Sequence, residues 1–319
     1  MQISAASVLA AWQPGMTAQL GDLVSVTLIV PDVGIADTLF GDILRMQRSS
    51  CRASIPFGAS TEHSAHGQSY SAPGWNRGRI RVVEGPARGP RSGLIAGWDC
   101  VELAVADVDG VVGRLGELGE GDLVFGPITV DLSAHGSAQH RSAVWRAPWG
   151  THVILTAGVT QPKGRVFPAP RAGDLCGPVF EVHLRAAAAC GAARFYQQVL
   201  GMRILMRMDV TDGPIHDVWD IPNGTSVDMV MVTGRGEGTG NGAIEIQAHD
   251  PAVIGTPPYA PSELFGGTSV VSYGCPDLKA TSDMLSRRGF EWHRSGESLW
   301  VRGPVGEWLE LVSEANTAV

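Results

Sequence analysis

The stretch Gly303-Pro-Val-Gly-Glu-Trp-Leu-Glu-Leu-Val-Ser313 decides the fold. A Gly-Pro-x-Gly turn leads into a strand in which Glu310 stands among apolar neighbours. A lone acid inside an apolar strand is expensive to desolvate unless it binds a metal, is hydrogen-bonded or changes protonation. The same design recurs in Gly242-Ala-Ile-Glu-Ile-Gln247, around Glu245. Upstream, Ala192-Ala-Arg-Phe-Tyr-Gln-Gln-Val-Leu-Gly-Met202 reads as a short helix stopped at Gly201.

Working outward, one pattern of strand, helix and about three strands occurs four times. The first strands are Val24–Val30, Asp99–Val105, Val179–Leu184 and Thr268–Tyr273. Helical spacing follows over 32–44, 107–115, 191–200 and 277–288, each run starting at an Asp or a small residue that can cap exposed amides. Residues 158–174 hold Pro162, Pro168 and Pro170 with few apolar anchors and read as a linker. The expected organisation is an arm over 1–21, one domain over 22–157, the linker, and a second domain over 175–319.

The bulk numbers agree with this. A chain of 319 residues, 44% hydrophobic and 18% charged, can bury two cores. A net charge of -8 argues against nucleic acid or an anionic membrane as partner, and no apolar run reaches a transmembrane length. Five scattered cysteines without a CxxC pair point to a reducing compartment, and hence to a cytoplasmic protein.

The four units together resemble the vicinal oxygen chelate superfamily: glyoxalases, extradiol dioxygenases, epimerases and small antibiotic-binding proteins. The resemblance implies an α+β fold in which four βαβββ modules pair into two cups, with the active cup in the C-terminal half. It also implies one divalent metal ion (Fe, Mn, Mg or Zn), or none in members that only bind ligands. Counting from Phe195-Tyr196 places the family's ligand positions on Glu181 and Glu245, with His183 on the same side as Glu181 because strand side chains alternate. In the fourth unit they fall on Val270, where a His is usual, and on Glu310. The metal set is therefore Glu181, His183, Glu245 and Glu310. In the N-terminal half the matching positions read Ser25, Arg81, Cys100 and Ile154, so no metal is expected there.

The run from His293 through Leu299-Trp300 and Gly303-Pro-Val-Gly306 to Glu310 is similar to the extradiol signature, with Trp300 in place of its Tyr and Gly303 in place of its Asp. The resemblance makes Glu310, His293 and Glu181 the catalytic candidates. Trp300, Trp308 and Arg185 are the substrate-binding ones. With one imidazole in view, the two-His-one-carboxylate iron triad is incomplete. Two chemistries stand level: proton transfer of lyase or isomerase type, and ring-cleaving oxygenation, on a small aromatic or keto metabolite. The alternative is a metal-free sequestration protein of the bleomycin-resistance type. Open sheet edges suggest a homodimer. Glu62-His-Ser-Ala-His66 and the run containing His135 and His140 are expected to be polar surface loops, and Gly234–Gly242 a flexible connection.

Overall fold

Alternation along the strands sorts the side chains onto two faces. In the computed structural model, which describes residues 18–57, 61–85, 94–131, 139–160, 169–188, 191–235, 242–255 and 267–314, every one of the four units forms as expected. Unit one holds β1 (Leu23–Val30), β2 (Gln47–Phe57), β3 (Thr61–Ser71) and β4 (Arg79–Glu84). Unit two holds β5 (Gly97–Val105), β6 (Asp122–Asp131), β7 (Gln139–Arg146) and β8 (His152–Gly158). Unit three holds β9 (Cys176–Ala187), β10 (Arg203–Val210), β11 (Val227–Thr233) and β12 (Ala243–His249). Unit four holds β13 (Gly267–Cys275), β14 (Trp292–Ser295), β15 (Ser298–Arg302) and β16 (Trp308–Ser313).

Each unit's helix follows its first strand. They are α1 (Val33–Asp37), α2 (Val108–Leu118), α3 (Ala192–Arg194) and, in unit four, α5 (Leu278–Arg287), while α4 (Pro214–Trp219) lies between β10 and β11. Asp32, Asp107 and Asp277 cap their helices by accepting from Gly34, Gly110 and Ala280 amides at 2.7, 3.0 and 2.8 Å. In units one and three the helix widens into a π turn, Thr38–Ile43 and Phe195–Val199. That widening turns Phe40 and Tyr196 fully inward.

The pairing of units differs from the expectation. One sheet runs β14-β15-β16-β13-β1-β4-β3-β2 and the other β10-β11-β12-β9-β5-β8-β7-β6. Unit one therefore shares a cup with unit four, and unit two with unit three. The sheets do not follow the division at 22–157 and 175–319. The joins are antiparallel: Thr27 faces Val270 across β1 and β13, and Glu102 faces Glu181 across β5 and β9. A first strand offers an open edge of backbone groups, and such an edge carries no sequence label for its partner.

Odd and even positions then part company. Val101, Leu103, Val153, Leu155, Val182, Leu184, Ile244, Ile246, Leu309 and Leu311 all enter one hydrophobic core that also takes in the helices. A fully buried Leu or Val of this kind contributes about 1.5–3 kcal/mol. Their neighbours Glu102, Thr156, Glu181, His183, Glu245 and Glu310 fall on the concave faces instead. The two hydrophilic segments expected as loops are partly strand: residues 61–71 form β3, with His66 exposed, and His140 lies on β7. His135 and residues 236–241 lie outside the described residues, as does the arm up to residue 17. Among the described residues no helix is long and apolar enough to cross a membrane.

Candidate active cup

The expected metal set is split by the pairing. Glu181, His183 and Glu245 come together in the cup of units two and three, whereas Glu310 lies in the other cup. There Arg81 Nη2 meets Glu310 Oε2 at 2.5 Å. Ser272 and Ser298 hydroxyls donate to the same carboxylate at 2.5 and 2.9 Å, and Arg81 Nε donates to Thr27 Oγ1 at 3.0 Å. Burial pushes the Glu310 carboxyl up, but Arg81 and the hydroxyls outweigh it and hold it below the usual range. Three donors, one of them a cation, already occupy this carboxylate. Beside this pair Val270, Trp300 and Trp308 form a small apolar cluster, and His293 stacks on Trp300 at 6.2 Å. The extradiol-like residues thus share one cup, without Glu181 or His183.

The other cup is built differently. His183 Nε2 lies 3.5 Å from Glu102 Oε2 and 3.9 Å from Glu181 Oε1. On the opposite side of the ring, Nδ1 is 3.5 Å from Glu245 Oε1. Gln247 Nε2 donates to Glu245 Oε1 at 2.7 Å, and Thr156 Oγ1 donates to Glu102 Oε1 at 2.5 Å. Glu181, His183, Glu245 and Gln247 are all buried. Burial, with the Glu102 and Glu245 charges beside it, drives Glu181 well above the usual carboxylate range, and Glu181 shares a hydrogen bond with Glu245. Burial disfavours charge on His183, yet Glu245 and Glu102 raise it overall.

A divalent cation fits these residues. Single donor atoms of Glu102, Glu181 and His183 lie within 4.8 Å of one another. His183 Nε2 is buried with no hydrogen-bond partner among the described residues, in the place where a ligand nitrogen would be left bare. An oxygen-rich set with one imidazole suits Mn²⁺, Mg²⁺ or Fe²⁺. Glu245 and Gln247 then lie behind the ring, where a carboxylate orients a metal-binding histidine.

Asp99, Cys100 and His152 also lie together, but a cation does not fit them. Arg185 Nη2 already sits on Asp99 Oδ2, and His152 Nδ1 and Trp219 Nε1 approach the same oxygen at 3.1 and 3.0 Å. Although burial opposes it, Arg185 and His152 keep Asp99 well below the usual range. Burial and Asp99 push the Cys100 thiol far up, so it supplies no thiolate. Arg185, expected to bind substrate, is thus committed to a structural ion pair. Its guanidinium also lies 5.0 Å over the Trp219 ring. Trp219, at the end of α4, stacks on His183 at 6.4 Å and 27°, and so roofs the cup.

The sequence reading missed Glu102, Gln247, Trp219 and Asp99. Glu102 carried the same signal as Glu245, an acid in an apolar strand. Counting from the helix landed two residues earlier, on Cys100. A cavity of about 240 Å³ beside α3, lined by Arg194, Arg207, Asp228 and Ile246, opens on the opposite face of this sheet and is separate from the cup.

No family model and no curated protein matches the chain. Among solved structures, glyoxalase I from Zea mays is similar at TM-score 0.60 and 14% identity, covering 92% of this chain and 93% of that one. A point mutant of the same maize enzyme gives TM-score 0.62 and 14% identity over 98% of both chains. The chain has the fold of glyoxalase I. It is also similar to a "putative dioxygenase" from Bacillus subtilis, at TM-score 0.59 and 11% identity, over 94% of this chain and 86% of that one. At such identities the likeness establishes the fold, and the chemistry has to come from the residues.

Proposed function

We propose that the chain is a vicinal oxygen chelate enzyme that moves a proton at a carbon next to an oxygen-bearing carbon of a small keto metabolite. The reaction is of lyase or isomerase type, in the cup of units two and three. The observation that carries the reading is the convergence of Glu102, Glu181 and His183 with Glu245 held behind them.

Glu102, Glu181 and His183 Nε2 would hold a divalent ion. When bound, such an ion polarises the substrate oxygen and stabilises negative charge on it. Glu245 is the proton acceptor, because it stands within hydrogen-bond reach of Glu181 and is aimed by Gln247. Trp219 excludes water above His183. Ring-cleaving oxygenation is the weaker reading, since the His293 and Trp300 pair stands in the cup of Arg81 and Glu310. Sequestration is weaker too, because a purely apolar ligand gives no reason to bury three carboxylates.

The test is wash-out of α-protons from small hydroxyketones in D₂O, followed by NMR. Glu245→Gln, assayed with the metal at saturation, should slow exchange about 10²–10⁴-fold. Exchange that survives this substitution would remove the assigned role, and no exchange with any keto compound would favour sequestration.

A further inference from the structure

The reacting groups of the cup of units two and three are shut in. Glu181, His183 and Glu245 are 6%, 5% and 8% exposed, and the Glu102 side chain 14%. A metabolite of several carbon atoms reaches groups so deeply buried only if something covering them moves. Trp219, at the end of α4, stacks over His183 and stands in the way.

α4 crosses from one wall of the cup to the other. It belongs to unit three, in the connection between Val210 of β10 and Val227 of β11, which face each other across the sheet. Its far end lands on unit two. There Val218 joins Cys100, Val144 and Ile154 in a small apolar cluster, with Val124, Phe125 and Trp219 packed beside it. Trp219 Nε1 donates to Asp99 at 3.0 Å. The attachment to unit three is of another kind. The Gly224 amide donates to the Thr211 carbonyl at 2.7 Å, and His216 Nε2 lies 2.8 Å from the Thr225 carbonyl. Both bonds lie within the segment, so neither depends on unit two.

The attachment to unit two is separable from the rest of the fold. Its apolar cluster is distinct from the main core, which takes the alternate side chains of β5, β7 and β8. Asp99 keeps Arg185 and His152 when Trp219 leaves, so opening strands no buried charge. Gly213 and Gly224 flank the helix at φ 85 and 87. Beyond their chain neighbours, neither has an atom within 4 Å of where a Cβ would sit, so the backbone there is free to rotate. A segment held by few apolar contacts opens at a lower free energy than the core does.

We propose that residues 211–225 form a lid, hinged on unit three and latched to unit two by Val218 and Trp219. The structure shows it closed, and a substrate enters past β6 and β7 when the latch releases. The gating role rests on the cup of units two and three being the active one.

Native-state hydrogen exchange of the full chain at low urea, read residue by residue by NMR, tests the lid. The Asp217 and Ile221 amides bond to the Gly213 and His216 carbonyls within the segment. A helix of six residues does not persist without packing, so these amides exchange when the latch lets go. Their exchange should hardly change with urea, because a local opening exposes little surface. The β9 and β12 amides should exchange through an opening that steepens with urea. Trp219→Phe keeps a ring over His183 and removes the donor to Asp99. It should speed exchange of the α4 amides about tenfold through loss of one hydrogen bond. α4 amides with the same urea dependence as β9 would make α4 part of the core and overturn the lid. Unchanged α4 exchange in Trp219→Phe would overturn the latch. Mn²⁺ retention by the same protein judges the underlying reading separately: local opening without any retained Mn²⁺ keeps the lid and removes the metal site.

Discussion

Arg81 on β4 and Glu310 on β16 lie 229 residues apart in sequence and meet at 2.5 Å in the middle of one cup. The guanidinium stands where a metal-binding cup would hold its cation, and it binds the first unit to the fourth. Removing one partner leaves the other buried and uncompensated. Arg81→Met should therefore destabilise the chain by about 3–5 kcal/mol, and the double variant Arg81→Met, Glu310→Met should recover most of that loss. Urea unfolding of the three proteins measures it. Equal losses in single and double variants would contradict the pairing.

Asp99 and Arg185 make the corresponding pair in the other cup, with both side chains 3% exposed. Asp99→Asn leaves Arg185 charged without its counterion and should cost about 3–5 kcal/mol by the same argument. It should also loosen α4, because Trp219 Nε1 donates to Asp99 at 3.0 Å. Tryptophan fluorescence and urea unfolding of the variant check both effects.

Glu307 couples the Gly303 turn to unit three, accepting from Tyr196 Oη at 2.7 Å and from the Val305 amide at 2.9 Å. Burial raises it to about 7 from an ordinary value of 4.5, despite those hydrogen bonds. The folded state therefore binds this proton more tightly than the unfolded state. The contribution is complete below pH 4.5 and is lost as pH rises toward 7, by roughly 3 kcal/mol. Glu307→Gln should flatten that part of the stability profile, read as urea midpoints across pH. Tyr196→Phe removes a hydrogen bond that pulls Glu307 down, so it should carry the loss to higher pH.

Much of this was legible in the sequence. The four repeats, the Asp caps and the alternation of acids with apolar residues follow from local rules that each segment obeys by itself. Glu245 was found because charge inside an apolar strand is conspicuous, and Glu181 and His183 because the resemblance sets a ligand position on Glu181 and strand side chains alternate. The partner of each unit was not legible, since an open edge strand pairs through backbone groups common to all residues. That single ambiguity grouped Glu310, His293, Trp300 and Trp308 with Glu181, whereas the two sheets hold them apart. Arg81 was read as part of the N-terminal half for the same reason, and its meeting with Glu310 could not be anticipated. Trp219 lay in a short helix outside the repeat pattern, and no spacing rule leads to it.

The most direct test of the central claim is metal content, measured by elemental analysis after loading with Mn²⁺ and desalting, for the wild type, Glu181→Gln and Glu310→Gln. If the cup of units two and three is the active one, the wild type and Glu310→Gln retain about one ion per chain and Glu181→Gln retains none. Loss of the ion in Glu310→Gln with retention in Glu181→Gln would place the site in the cup of units one and four and contradict the account.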